Sequence, residues 1–450
     1  MKTNIIAILC LGASTQISAL TLDEYTEKLS QEHPFYSQLS LSEEARQLAH
    51  QASRLVYDWN TQMSANSSHS SASSVNYSKT EISTQKAIKK TGGSLSVRHS
   101  WTDNGLTQPT NLTSITYSQP LLENKKGINT NLSADIADID FESKRLSLVE
   151  QSEGFLASKI KRFIDLALAQ ERVALIGANM LLSEQQLNIA VDKYKQSILS
   201  ESGMLQEQDN HIRARQQLLQ AEQELSSIQV ELAMWANLEP QLMIAEFDFF
   251  QEQTTLDTDT LDLVAGLRII QQLSFDRQKL QRQLASNQNK LKPSLNINVG
   301  LTSQGNANSY LDSFSNQNSS FEMGLNFAYP FGNAKEKLDI RLSQNSLAQL
   351  DSRQQENEAN LAYQINMQVA RIKLLQKMME DSLAQSTLAE AKAKETMRQY
   401  ENAMSQKNNV LAAQKNANTV KLSYLQAATN LQKGGVDYLS LTDRLVSAPN

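Results

Sequence analysis

The chain has 450 residues, a formal net charge of −6, one cysteine and only 6% aromatic residues. The acidic balance and the lack of any basic patch exclude nucleic acid as a partner, because phosphate binding needs clustered Lys and Arg. The low Gly and Pro content reads as long helices rather than a thick globular core.

Residues 1–19, MKTNIIAILCLGASTQISA, have the form of a secretory signal peptide: Lys2, an apolar run from Ile5 to Ala13, and small residues up to a cleavage point after Ala19. The run is too short to span a bilayer, and Leu9 before Cys10 does not fit a lipoprotein signal. Cleavage leaves no thiol, hence no disulfide framework, thiolate metal site or cysteine nucleophile.

A first repeat is expected over 20–240. Its opening helix is interrupted at Pro34, after which Leu41, Ala45, Leu48, Ala52 and Leu55 recur at helical spacing. From about 59 to 119 the chain turns to Ser, Asn and Thr with period-two patches. Leu95, Val97, His99 and Trp101 face one way and Ser94, Ser96, Arg98 and Ser100 the other; Ile115 and Tyr117 continue the pattern. Trp59–Ala65 reads as an ascending strand, and the remainder up to Trp101 as loop or hairpin. Pro120 ends the strands. A proline-free helix then covers 123–194, with Ile160, Phe163, Ile164, Ala167, Val173, Ile176 and Met180 along one stripe. At roughly 1.5 Å per residue it reaches on the order of 100 Å. A polar bend and a shorter helix to Trp235 follow, then an acidic hinge over 241–260.

A second repeat over 261–445 follows the same plan, with a short tail at 446–450. A helix spans Leu261–Leu291, strands lie within about 294–330, Pro330 matches Pro120, and a long helix covers 333–400 with Leu361, Ile365, Val369, Ile372, Met379 and Leu383 on its stripe. The bends YKQSILSESGML, from Tyr194 to Leu205, and YENAMSQKNNVL, from Tyr400 to Leu411, lie 206 residues apart. They pair Tyr194 with Tyr400, and Met204 and Leu205 with Val410 and Leu411.

In SLNINVGL and FEMGLNFAY, Leu295, Ile297, Val299 and Leu301 and then Phe321, Met323, Leu325, Phe327 and Tyr329 share one face. A sheet half in water predicts this alternation, and so does a membrane barrel with its apolar face toward lipid. An exported chain without a membrane helix, with narrow helical stripes and with aromatics near strand ends, favours the barrel. Two strands per repeat make four per chain, so several copies must associate, because open edges do not survive in lipid. Two copies would give eight strands and three would give twelve.

The whole mature chain resembles the TolC-like outer-membrane efflux duct family. LTLDEYTEKLSQEHPFY is similar to the family's opening helix, YSQPLL and FAYPFG to its strand-to-helix prolines Pro120 and Pro330, and the two tyrosine-led bends to its periplasmic tip. The resemblance implies a mainly α chain with a membrane β-barrel: a homotrimer whose twelve-stranded outer-membrane barrel continues as a periplasmic α-helical barrel. It further implies a passive channel for drugs or proteins in a tripartite efflux or type I secretion system. Its partners would be a periplasmic adaptor (membrane fusion) protein and an inner-membrane pump of RND, ABC or MFS type. Tyr194, Met204, Leu205, Tyr400, Asn409, Val410 and Leu411 are then the gate or adaptor-docking residues. Family members often carry acidic residues after the second tip tyrosine, where this chain has Asn409 and Ala412. Glu201, Glu207 and Asp209 are alternatives for pore charge, against a reading as solvated helix carboxylates.

No phosphate loop, GxSxG or HExxH is present, and the five histidines are scattered, so no catalytic residue, metal site or cofactor is expected and an enzyme is disfavoured. Asp135, Asp138 and Asp140 lack the glycine and glutamate of a calcium loop and read as a solvated helix face. A periplasmic or surface coiled-coil structural protein with a small β domain is the competing class.

Overall fold

The computed structural model describes residues 19–70, 75–240, 243–251, 255–256, 260–315, 317–329 and 331–446. The expected signal peptide except Ala19, Pro330 and most of the expected tail lie outside them. In chain order the elements are α1 (Leu22–Glu32), α2 (Pro34–Arg54), β1 (Asn60–Ser70), β2 (Val75–Ala87), β3 (Ser94–Asp103), β4 (Thr110–Pro120), α3 (Leu132–Lys195) and α4 (Glu201–Trp235). The second half adds α5 (Thr260–Gly266), α6 (Arg268–Lys290), β5 (Ser294–Asn306), β6 (Gln317–Ala328), α7 (Ala334–Glu401) and α8 (Lys407–Leu441). The expected helix over 261–291 is broken at Leu267, whose extended backbone caps α6. The chain forms two units, described separately: Leu41–Leu148 with Ala265–Asn360, and the remainder.

The first unit holds one antiparallel sheet in the order β1-β2-β3-β4-β5-β6. Among the described residues six strands replace the expected four: β1 runs on to Ser70, and the stretch read as loop or hairpin forms the antiparallel pair β2 and β3. The turn between β2 and β3 requires glycine. Gly92 has φ +71°, and a Cβ there would sit 2.3 Å from the Gly127 backbone nitrogen. The long helix starts at Leu132 rather than 123 because Asn124 is left-handed (φ 61°) and its Oδ1 accepts from the Asn129 and Thr130 amides. Helices α2, α3 and α6 are tied by charge within this unit. Asp135 pairs with Arg282 at 2.8 Å, Asp138 with His50 at 2.7 Å, and Asp140 with Lys279 at 2.9 Å. The acidic face expected to be merely solvated is therefore engaged by Arg282, His50 and Lys279, with Arg54 also 3.4 Å from Asp138. Half-exposed pairs of this kind contribute little stability and mostly set which helix faces meet.

The second unit is helical. Phe163, Leu166 and Ala169 of α3 pack with Tyr25 and Leu29 of α1, Ile228 and Leu232 of α4, and Met243. On another face of the same stretch, Ala167 and Leu168 meet Phe249 and the α8 residues Leu425 and Ala428. Apolar groups on two faces of α3 explain why its pattern is wider than one stripe. Residues 243–251 form no helix or strand; they lie against this core through Phe247 and Phe249, and the Gln432 side chain donates to the Phe249 carbonyl at 3.1 Å. No described helix is long and apolar enough to cross a membrane.

Candidate functional site

The register assigns every strand residue to one of two faces. One face carries Met63, Ile82, Leu95, Val97, Ile115, Tyr117, then Leu295, Ile297, Val299 and Leu301, then Phe321, Met323, Leu325 and Phe327. The other carries Gln62, Ser64, Lys79, Glu81, Ser83, Arg98, Ser114, Thr116, Asn296, Asn298, Glu322, Gly324 and Asn326. The apolar face is open: on β6, Phe321, Met323, Leu325 and Phe327 are between 63% and 69% exposed. A sheet packed on its own core would bury them, so the half-in-water alternative does not fit this face.

The apolar band also runs obliquely. The row through Ile82 passes His99 and Thr113 and reaches Ser303 and Ser319, whereas the apolar rows of β5 and β6 pair Leu295 with Phe327 and Ile297 with Leu325. A level lipid belt leaves this track on strands tilted by about 35–45°. Aromatic side chains mark both ends of the apolar face. At one end, Trp101, Tyr310 and Phe314 join in edge contacts of 5.3 and 5.1 Å, and the Tyr310 hydroxyl lies 2.8 Å from His99 Nε2. At the other, Trp59 carries the Lys86 ammonium 5.6 Å above its ring, and Tyr329 packs on Phe331. On the polar face Glu81 pairs with Lys79 at 2.7 Å and Arg98 at 3.2 Å.

Pro120 is buried at the end of β4, and the next amide, Leu121, donates to Leu295 across the sheet at 2.8 Å. Proline supplies no N–H here.

The two bends are the same structure. Ser197 N donates to Tyr194 O and Ile198 N to Lys193 O; 206 residues on, Ala403 N donates to Tyr400 O and Met404 N to Gln399 O. Ser197 and Ala403 both have φ 57°. These are paired Schellman turns, with a left-handed residue after the helix that is usually glycine. In each turn the carbonyl of Tyr194 or Tyr400 accepts one of these bonds, and the two side chains are about equally exposed. The equivalent aliphatic positions differ: Leu411 is 3% exposed and Leu205 50%, while Val410 is buried and Met204 half-buried. Asn409 is exposed and donates to Ser405 Oγ at 3.4 Å. Sequence reasoning missed Ile198 and Met404, the exposed residues just past each turn; the 206-residue offset could have found both. The first-repeat carboxylates are engaged locally, Asp209 with Arg213 at 2.6 Å and Glu207 with the Asn210 amide at 3.2 Å.

Exposed aliphatic residues recur at sevens on α4 at Leu205, Ile212 and Leu219, and on α7 Met367 and Leu374 are seven apart, with Leu388 fourteen further on beyond Asp381. Such stripes suit contact with further helices. Among the described residues one carboxylate group, Glu150, Glu153 and Asp443, has ligand atoms within 4.8 Å of one another, but Glu153 already accepts the Leu445 amide at 2.9 Å.

No protein-family profile matches the chain. No curated protein matches it either. Solved structures do. The CusC structure superposes with a TM-score of 0.71 at 9% identity over 94% of this chain and 91% of that one. The outer-membrane protein VceC of Vibrio cholerae gives 0.67 at 10% identity over 94% and 95%. The CmeC outer-membrane channel of Campylobacter jejuni gives 0.69 at 11% over 95% and 87%. At these identities the likeness speaks for the fold, and the chain has the TolC-like fold of the outer-membrane channels.

Proposed function

We propose that the protein is the outer-membrane channel of a tripartite efflux or type I secretion system, a passive conduit without catalytic chemistry of its own. The observation that carries this reading is the open apolar face backed by a polar one, in a chain with an expected export signal and the fold of outer-membrane channels. Lipid covers the apolar face, and the polar face lines water. Copies of the chain, three by resemblance, associate through the exposed heptad stripes and the sheet edges. The turns at Ser197 and Ala403 form the narrow entrance, where a periplasmic adaptor and an inner-membrane pump of RND, ABC or MFS type engage.

Fractionation tests the location: the protein should co-sediment with outer-membrane porins and resist carbonate extraction. A deletion strain should accumulate a hydrophobic dye or retain a secreted protein, and the intact gene should restore export. Recovery in the soluble periplasm would return the scaffold alternative. In addition, Asn409→Cys should cross-link neighbouring copies under oxidation and lower export, with reversal by reductant.

A further inference from the structure

The trimer and the twelve-stranded wall cannot both hold if every strand of the sheet stands in the membrane. We infer that all six strands of each copy do, with β1 of one copy paired to β6 of the next, so that three copies close a barrel of eighteen strands. The inference rests on the trimeric conduit reading above.

Four observations support it. The division into apolar and polar faces continues through β3 and the middle of β2: Ile82 and Val97 lie on the apolar side and Lys79, Glu81 and Arg98 on the polar side, while Lys86 and Tyr77 depart from it toward the ends of β2. With 13 and 10 residues, β2 and β3 are long enough to cross a hydrocarbon layer, which takes about 9–11 residues. Their connecting turn is fixed where the strands give way to helices: Gly92 abuts Gly127, and Asn131 Nδ2 donates to the Lys89 carbonyl at 3.1 Å. Both strands therefore run the full height of the sheet and are not an excursion of an outer loop. Finally, the described residues of β1 and β6 are almost all exposed, the two strands have 11 and 12 residues, and they run in opposite directions in an all-antiparallel meander. The unpaired backbone groups of such edges cannot face lipid, and a second copy supplies the antiparallel partner.

Like faces must align across the new seam, so odd-numbered residues of β1 meet odd-numbered residues of β6. Strands about 4.8 Å apart and tilted by about 40° put the wall of eighteen at about 36 Å across between backbones, against about 24 Å for twelve.

The test uses the full chain with Cys10→Ser. Ser64→Cys is combined in separate chains with Ser320→Cys, Glu322→Cys, Gly324→Cys or Asn326→Cys, all on the polar face. In outer membranes at least one pair should oxidise to a closed ring that runs as three chains and returns to one on reduction. Ser64→Cys with Phe321→Cys, on opposite faces, should give no product. A ring of two chains, or no product from any same-face pair, overturns the inference. Strand counting by electron cryomicroscopy of the unaltered assembly decides independently of the variants. Eighteen strands support the inference; twelve in an outer-membrane assembly overturn it while leaving the conduit reading intact. A soluble monomer overturns both.

Discussion

From Tyr194 to Asn237 and from Tyr400 to Asp443 the backbone repeats itself 206 residues on. Helices α4 and α8 have 35 residues each, and both end in a left-handed residue, Asn237 or Asp443. Upstream the repeats part company: the first has four strands, the second two. The difference shows which region tolerates insertion. A helical turn is fixed by its own hydrogen bonds, so one extra residue would rotate every following side chain by about 100°. A meander accepts a whole hairpin, because two strands restore both direction and face. Side chains diverge even where the backbone agrees: Ile228 of α4 corresponds to Gly434 of α8, where a Cβ would come within 3.2 Å of Leu375.

The largest effect should come from breaking the equivalence of the two turns. Leu411→Ala removes a buried side chain and is expected to cost about 2–5 kcal/mol in the melting of the purified protein. Leu205→Ala should leave that melting near the parent and weaken association between copies instead. Equal losses would show that the turns pack alike.

Next is the sheet. Val97→Arg on β3 and Leu325→Arg on β6 should each cost about 2–4 kcal/mol and deplete the outer-membrane fraction, whereas Asn326→Arg should not. If only Leu325→Arg has the effect, β3 does not contact lipid. Smaller and opposite in sign, Ser197→Gly and Ala403→Gly should each stabilise by about 1 kcal/mol, since both positions hold a side chain in left-handed backbone.

The smallest effect is titration of His33. This imidazole lies between Phe155 and Trp235, its Nδ1 accepts the Phe35 amide at 3.0 Å, and burial together with the Lys159 charge lowers its pKa. Below the ordinary imidazole value of about 6.5 the unfolded chain takes up a proton that the folded site refuses, so stability should fall with acidification there. His33→Gln should flatten that slope in denaturation measured between pH 5 and 7.

Much of this was legible in the residues. Pro34, Pro120 at the end of β4, and the tyrosine-led bends announce their positions because each acts through local backbone chemistry. The sheet was legible where aliphatic residues alternate, as from Leu295 to Leu301, and illegible in β2, where Ile82 is the one large aliphatic on its face and Asn76, Ser78, Thr80, Thr84 and Lys86 fill the rest. Strands of that kind form because their neighbours offer backbone partners along their whole length. The pairs of Asp135, Asp138 and Asp140 with Arg282, His50 and Lys279 depend on helices far away in sequence, which no local pattern reports.

Contact between lipid and the odd-numbered residues of β6 is open to one direct measurement. Single cysteines placed at residues 320 through 327, in outer-membrane vesicles, would be challenged with a water-soluble maleimide and with a quencher dissolved in the bilayer. Phe321→Cys, Met323→Cys, Leu325→Cys and Phe327→Cys should escape the maleimide and be quenched, while Ser320→Cys, Glu322→Cys, Gly324→Cys and Asn326→Cys should label freely. Uniform labelling of both sets, or protection without quenching on the odd positions, would contradict the account.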